Sequence, residues 1–427
     1  MRFSILGTKR NSNQNNIRID ALSPAILIIL YFALDIVSVY IYANININEV
    51  NIFLPLAMSR ESLLFGFFVS SLYLLCWYVS YFLFRGRLRC PDTIQNDMHE
   101  NAKFNFWFYV ISLLIGIVAL HFLILSHPLY QRGPRSQLTT GLHGKLLFSC
   151  VVFSIVTFWV FCCAVAAEWR VAKPENTSHR LLYSTVVLIG LGALLSLVLW
   201  QMGGRERALM PLFGAVFAFH YNFKRISLLN AAIVGGFVLT LALALDGMFQ
   251  GGEGFERILL VFSPANGRNF DGLYNLVSAL QMYSSENMLG GAGWVNAILD
   301  DLGFDGGAST REEFMRSLLG LKEVHVGFPP TKAGDLYMNF LYPGIMIGGA
   351  AMGACSAVTW RYFVKARVLG LASVPLYLSV VWVLGTASIR GYFVFEDFVI
   401  GVFYIFACLV IYVISQGKMW FTRWRSP

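Results

Sequence analysis

Arginine is the residue type that stands out of place in this chain. Arg205 and Arg207 lie in Gly203–Gly–Arg–Glu–Arg207, a very short turn between two apolar runs. Arg132 and Arg135 lie in Gln131–Arg–Gly–Pro–Arg135, and Arg390 in Ser388–Ile–Arg–Gly391. Arg257, Arg268, Arg311 and Arg316 share one long polar segment. A guanidinium stays charged at every accessible pH, and its planar fork can bond two phosphate oxygens at once. As a set these side chains suit a diphosphate. Arg205 leads the set, because the two glycines before it let backbone approach a ligand closely. Taken singly, each arginine is more simply a rim residue paired with lipid phosphate or with a nearby acid such as Glu206.

A second group of chemically capable residues closes the polar segment, in His325-Val-Gly-Phe-Pro-Pro-Thr-Lys-Ala-Gly-Asp335-Leu-Tyr-Met-Asn-Phe340. Pro329 and Pro330 predict a stiff, extended lead into a helix. Lys332 and Asp335 then fall at the helix start, where the dipole favours anions and free backbone N–H groups would meet a diphosphate. His325 titrates near neutral pH and suits a general base; an ordinary hydrogen-bonding loop histidine is an equal reading. Asp35, a carboxylate within an apolar run, is expensive there and so a further candidate. His121 and His220 are isolated in apolar runs and read as facing protein. No phosphate-binding P-loop, dinucleotide glycine fingerprint or His-Glu-x-x-His motif is present.

The elements that must position these residues are apolar helices. Hydrophobic residues make up 57% of the chain and charged residues only 13%. A helix needs about 20 mostly apolar residues to cross the hydrocarbon core. Runs near 22–43, 62–84, 104–126, 146–167, 181–200, 208–222, 226–249, 335–360, 368–388 and 396–415 predict ten spans, the sixth short enough to be re-entrant or tilted. Residues 1–249 thus form an N-terminal membrane unit of about seven spans, 250–334 one large polar loop, and 335–427 a C-terminal unit of about three. The loop contains none of the seven cysteines, so no disulfide framework or zinc site is readable in it.

Basic residues orient the spans. With both termini in the cytoplasm, every short inner loop is basic, from Arg85, Arg87 and Arg89 to Arg361, Lys365 and Arg367. The long loop and the arginines of the first paragraph then face outward. The net charge of +8 needs no nucleic acid as partner; inner basic loops against anionic lipid account for it. Within the loop, 270–284 and 294–302 show helical apolar spacing, and Thr310–Glu313 reads as a capping box before a helix ended by Gly320. These short amphipathic helices are expected to lie on the outer membrane surface and roof a cavity, or to pack on the bundle. Gly290–Gly–Ala–Gly293 reads as a hinge.

Three features together resemble the bacterial O-antigen, or oligosaccharide repeat-unit, polymerases of the Wzy type. They are Gly-Gly-Arg205 at a mid-chain outer turn, a large outer loop with Phe270-Asp-Gly-Leu-Tyr-Asn275, and Pro-Pro-Thr-x-x-Gly-Asp335-Leu-Tyr-x-Asn339-Phe entering a helix. The last is close to the family's Pro-x-x-x-x-Gly-Glu-x-Tyr-x-Asn-Phe-Gly. Two departures stand out: Asp335 replaces the common Glu, and Leu341-Tyr-Pro343 replaces the glycine after Asn-Phe. The resemblance covers roughly residues 200–350. It implies an all-α, GT-C-like helix bundle in the bacterial inner membrane and a metal-independent glycosyltransferase. Its substrates would be undecaprenyl-diphosphate-linked glycans, with a chain-length regulator and a flippase as partners. Arg205 would stabilise the leaving diphosphate, helped by Arg207, Arg268, Arg316 and Arg390. Arg132, Arg135, Arg257, Lys332 and Tyr337 would bind substrate, and His325 or Asp335 would act as base. An O-antigen ligase, or a lipid-linked oligosaccharide flippase, are the alternatives.

Overall fold

The computed structural model describes residues 20–30, 32–33, 36, 59–87, 106–126, 141–171, 179–202, 205–233, 235–236, 272–302, 304, 306–320, 330–380 and 402–413. Among these residues all regular structure is helical. The long helices are α1 (Arg60–Arg87), α2 (Phe106–Leu125), α3 (Gly141–Val171), α4 (His179–Trp200) and α5 (Arg205–Asn222). The short helices α6 (Gly272–Met282), α7 (Ala292–Asp301) and α8 (Thr310–Leu319) precede the long α9 (Lys332–Thr359). The short α10 (Ser373–Leu378) and α11 (Val402–Val413) follow.

Five of the ten expected spans, those of α1, α2, α3, α4 and α9, are helices long and apolar enough to cross a bilayer. The expected sixth span is α5, 18 residues with Pro211 inside it. At about 1.5 Å per residue it reaches about 27 Å, slightly less than the hydrocarbon core. The other four expected spans lie partly outside the described residues. This is a membrane protein by the length and composition of its helices.

Helices consecutive in the chain from α2 to α4 alternate in direction. In α2 and α3, Phe106 meets Phe161 and, at the other end, the Leu123 carbonyl meets His143 Nε2 at 2.9 Å, so the pair is antiparallel. Trp169 donates to Thr185 at 2.9 Å across the antiparallel α3–α4 pair. Helices α3 and α5 run parallel, with Trp159 Nε1 donating to the Met210 carbonyl at 2.9 Å and Trp169 against Phe223 further along. Most of Val151–Ala166 on α3 is buried, which makes it the central helix of this group.

Helix α9 packs along α1 in the same direction, on glycines. A methyl on Gly349 would approach the Tyr73 carbonyl oxygen to 2.8 Å, and one on Gly353 would overlap the Trp77 carbonyl. Small residues spaced four apart let two backbones touch, which is how helices adhere where lipid removes the hydrophobic drive. At the far end of this seam the Arg85 guanidinium lies 4.6 Å over the Trp360 ring, and Arg361 donates to the Arg85 carbonyl at 2.6 Å.

The same end holds a buried polar knot. His220 Nε2 meets Asp20 Oδ1 at 2.9 Å, while its Nδ1 accepts the Ile226 N–H at 3.0 Å. An accepting Nδ1 is unprotonated, so the ring donates from Nε2. Tyr221 and Tyr377 both donate to the Leu22 carbonyl, at 2.9 and 3.1 Å. His220 faces protein, as its isolation in an apolar run predicts, and so does His121, whose Nδ1 meets Gln201 Oε1 at 3.1 Å.

Of the two arrangements expected for the loop helices, α6 takes the packed one: Gly272–Ala279 is buried, wedged between Gly66 of α1 and Gly334 of α9. Glycines on both neighbours leave the room for it. The capping box of α8 begins one residue earlier than expected. Ser309 is the N-cap; its hydroxyl accepts the Glu312 N–H at 3.3 Å, and Glu312 accepts the Ser309 N–H at 3.0 Å. Gly320 ends the helix in the left-handed region, at φ 64°.

Candidate functional site

The site is built by a break in α9. Thr331 caps the helix, its hydroxyl accepting the Gly334 N–H at 2.9 Å. About three turns later Pro343 stands inside the helix. A proline has no N–H for the carbonyl four residues earlier, here Asn339, and its ring crowds that carbonyl. The backbone responds at Leu341, at φ 56° and ψ −145°. The freed carbonyls are taken up by the turn before α7. Leu289 N–H donates to Met338 O at 2.8 Å and Gly290 N–H to Asn339 O at 3.0 Å. Gly290 and Gly291 have φ of 58° and 87°, a geometry that side chains resist. Gly290–Gly293 is thus a tight turn bonded to α9, where the sequence suggests a hinge.

Everything on the first two turns of α9, from Lys332 to Asn339, is buried. Asp335 has no exposed surface. An isolated buried carboxylate is costly unless polar partners meet it. Here the Trp294 indole N–H lies 3.2 and 3.1 Å from its two oxygens. The Asn339 amide nitrogen lies 3.2 Å from Asp335 Oδ1, 2.9 Å from its backbone carbonyl and 3.2 Å from Thr310 Oγ1. The amide oxygen of Asn339 accepts the Gly291 N–H at 3.2 Å. Lys332 is buried within electrostatic range of Asp335. Tyr337 donates to the Tyr283 carbonyl at 3.3 Å. Asp335 and Asn339 thus gather α7, α8 and the preceding turn onto one helix end.

Trp294 also lines an open, shallow groove that runs from Gly290 to Ile298 along α7. The Trp294 ring also meets Phe340 edge-on, with centroids 5.0 Å apart. Trp294 thus belongs both to the shell of the buried carboxylate and to the lining of the groove. What the arrangement offers chemically is one fixed, enclosed carboxylate, able to accept a proton.

Of the residues singled out in the sequence, the structure brings together Lys332, Asp335 and Tyr337. The helix start they share is enclosed, not open to a diphosphate as the sequence suggests, because α6, α7 and α8 cover it. Arg316 lies on the exposed side of α8. Arg205 and Arg207 open α5; their side chains lie outside the described residues. Helices α1, α3, α5 and α9 finish at one end of the bundle, so α5 and α9 begin at the other. His325, Asp35, Arg132, Arg135, Arg257, Arg268 and Arg390 lie outside the described residues. Trp294, Thr310 and Asn339 are the partners that the arginine-led reading passes over. Only Asn339, four residues after Asp335 and so one turn away, carries a local signal. Among the described residues no three His, Cys, Asp or Glu side chains gather as a metal-ligand group. No protein-family model matches the chain, and neither a curated protein nor a solved structure matches it.

Proposed function

We propose that this chain is a bacterial inner-membrane glycosyltransferase that joins undecaprenyl-diphosphate-linked oligosaccharide repeat units on the outer face of the membrane. The carrying observation is the Asp335 centre at the broken start of α9. It falls on the acidic position of the run that resembles the repeat-unit polymerases. The backbone adds a second support. That pattern has glycine where this chain has Leu341, and Leu341 adopts φ 56°, ψ −145°, a region almost reserved for glycine.

In this reading an acceptor sugar hydroxyl attacks the anomeric carbon of a lipid-linked donor. The new glycosidic C–O bond forms as the bond to the diphosphate oxygen breaks. The hydroxyl proton passes to a carboxylate, for which Asp335 is the described candidate. The leaving diphosphate gathers negative charge, and fixed guanidiniums, Arg205 first, stabilise it without reorganising. Trp294 must turn aside for an acceptor to reach Asp335. Both termini are cytoplasmic and the 250–334 loop is periplasmic.

Surface polysaccharide from a deletion strain tests the reading. Expected are single-repeat or very short glycans, with lipid-linked repeat units still reaching the outer face. Units held on the cytoplasmic face indicate a flippase instead. Full-length lipid-linked polymer that is never transferred indicates a ligase.

A further inference from the structure

We propose that α7 is a membrane-surface anchor, seated by its exposed apolar side in the outer boundary of the bilayer beside the start of the α9 span. This stands apart from the glycosyl-transfer reading and holds for any activity of the protein. Val295 and Leu302, a stripe at helical spacing, are each 55% exposed, and Phe304 just beyond is 63% exposed. The opposite side of α7 is fixed to protein. Gly293 packs on Thr310, and Asn296 donates to the Ala308 carbonyl at 2.9 Å.

The break in α9 sets the level at which α7 sits. From Tyr342 to Thr359, and on through the π-helical turn Trp360–Lys365 that continues α9, the span has roughly two dozen residues, about 36 Å, enough to cross the ~30 Å hydrocarbon core. The two turns before Leu341 are enclosed by protein, so the span begins at the break. Leu289, Gly290 and Trp294 bind α7 to Met338, Asn339 and Phe340, at that same level. The exposed strip of α9 continues downward through Tyr342 and Met346 to Ile347, 70% exposed. One apolar surface therefore passes from the lipid-facing side of α9 onto α7. Trp294 meets Phe340 and Tyr342 meets Tyr337 near the break, and aromatic residues gather in this way at membrane boundaries.

A helix of 10 residues is about 15 Å long and cannot span, so the available seating is in the interface. Its sequence, AGWVNAILDD, has two acids and no base. Attachment by anionic headgroups is therefore disfavoured, and the apolar part of a neutral lipid is the partner that fits.

Photocrosslinking tests this in the full chain, reconstituted in phosphatidylcholine vesicles that carry an alkyne-tagged phosphatidylcholine. Benzoylphenylalanine is placed by amber suppression at Val295, Leu302 or Phe304, at Ile347 as the lipid-facing reference, and at Glu286 on the exposed polar turn. Expected are lipid adducts at Val295, Leu302 and Phe304 as at Ile347, and none at Glu286. Three positions on one surface keep the test intact if one variant folds poorly. A covalent dimer at Val295 or Leu302 in place of lipid overturns the proposal in favour of a second copy of the chain. Adducts at Ile347 alone, or equal labelling at Glu286, overturn it as well.

Discussion

Pro343 has no N–H to give the Asn339 carbonyl, and that carbonyl accepts the N–H of Gly290 at 3.0 Å instead. One missing donor in a span thus becomes the attachment point of a loop 53 residues earlier in sequence. The pairing ties the buried Asp335 centre, the groove and the first turn of α7 to one backbone defect.

Gly291→Ala should destabilise this attachment. Gly291 has φ 87°, and a methyl there would approach the Phe340 ring to 3.2 Å. A left-handed residue with a side chain costs on the order of 1–3 kcal/mol. The check is earlier thermal unfolding of the purified protein in detergent, with increased proteolytic nicking between α6 and α7.

Leu341→Gly should go the other way. Leucine at φ 56°, ψ −145° carries strain that glycine removes, partly offset by glycine's larger entropy in the unfolded chain. A net gain of about 1 kcal/mol is expected, read as a higher thermal midpoint. Leu341→Val, with a stiffer branched side chain, should lower it.

Asp335→Asn keeps the shape of the carboxyl but removes its charge and its capacity to take a proton. Polymer should fall about 100-fold or more while the protein still inserts. Asp335→Leu should also lose stability, by about 1–3 kcal/mol, because the Trp294 indole N–H loses both carboxylate acceptors and Asn339 loses one of three. Normal polymer from Asp335→Asn at matched protein level would make the carboxylate a structural staple only.

Arg205→Lys separates charge from geometry. Lysine keeps the charge at the head of α5 but lacks the planar fork. Strong loss of polymer from both Arg205→Lys and Arg205→Ala is expected, with Arg10→Ala nearly silent as the control. Near-normal chain length from Arg205→Ala returns Arg205 to the membrane rim.

Long apolar runs made the spans of α1, α2, α3, α4 and α9 legible, since period and length alone define them. The shift of the α8 cap has a local cause: Ser309 and Thr310 are both good caps, and each has a glutamate three residues on. Spacing cannot choose between them. The tertiary fold does, by committing the Thr310 hydroxyl to Asn339. Asp335 is readable as a candidate because it falls at a predicted helix start, in the Pro-Pro-Thr-x-x-Gly-Asp run. Trp294 is not, because its tie to Asp335 joins residues 41 apart, and no local pattern records such a partner. The burial of α6 was hidden for the same reason; the glycines that admit it belong to α1 and α9.

The glycine seam between α1 and α9 bears on how the molecule is made. Arg85 and Arg361, at its far end, are 276 residues apart. During synthesis α1 enters the membrane long before α9 leaves the ribosome, and it waits with its glycine-facing side against lipid. The seam therefore closes only between helices already inserted, each a separate stable unit in the bilayer. A chain divided between 236 and 272, its halves produced from two messages, should reassemble in the membrane through that seam and the contacts beside it, such as Tyr377 on the Leu22 carbonyl.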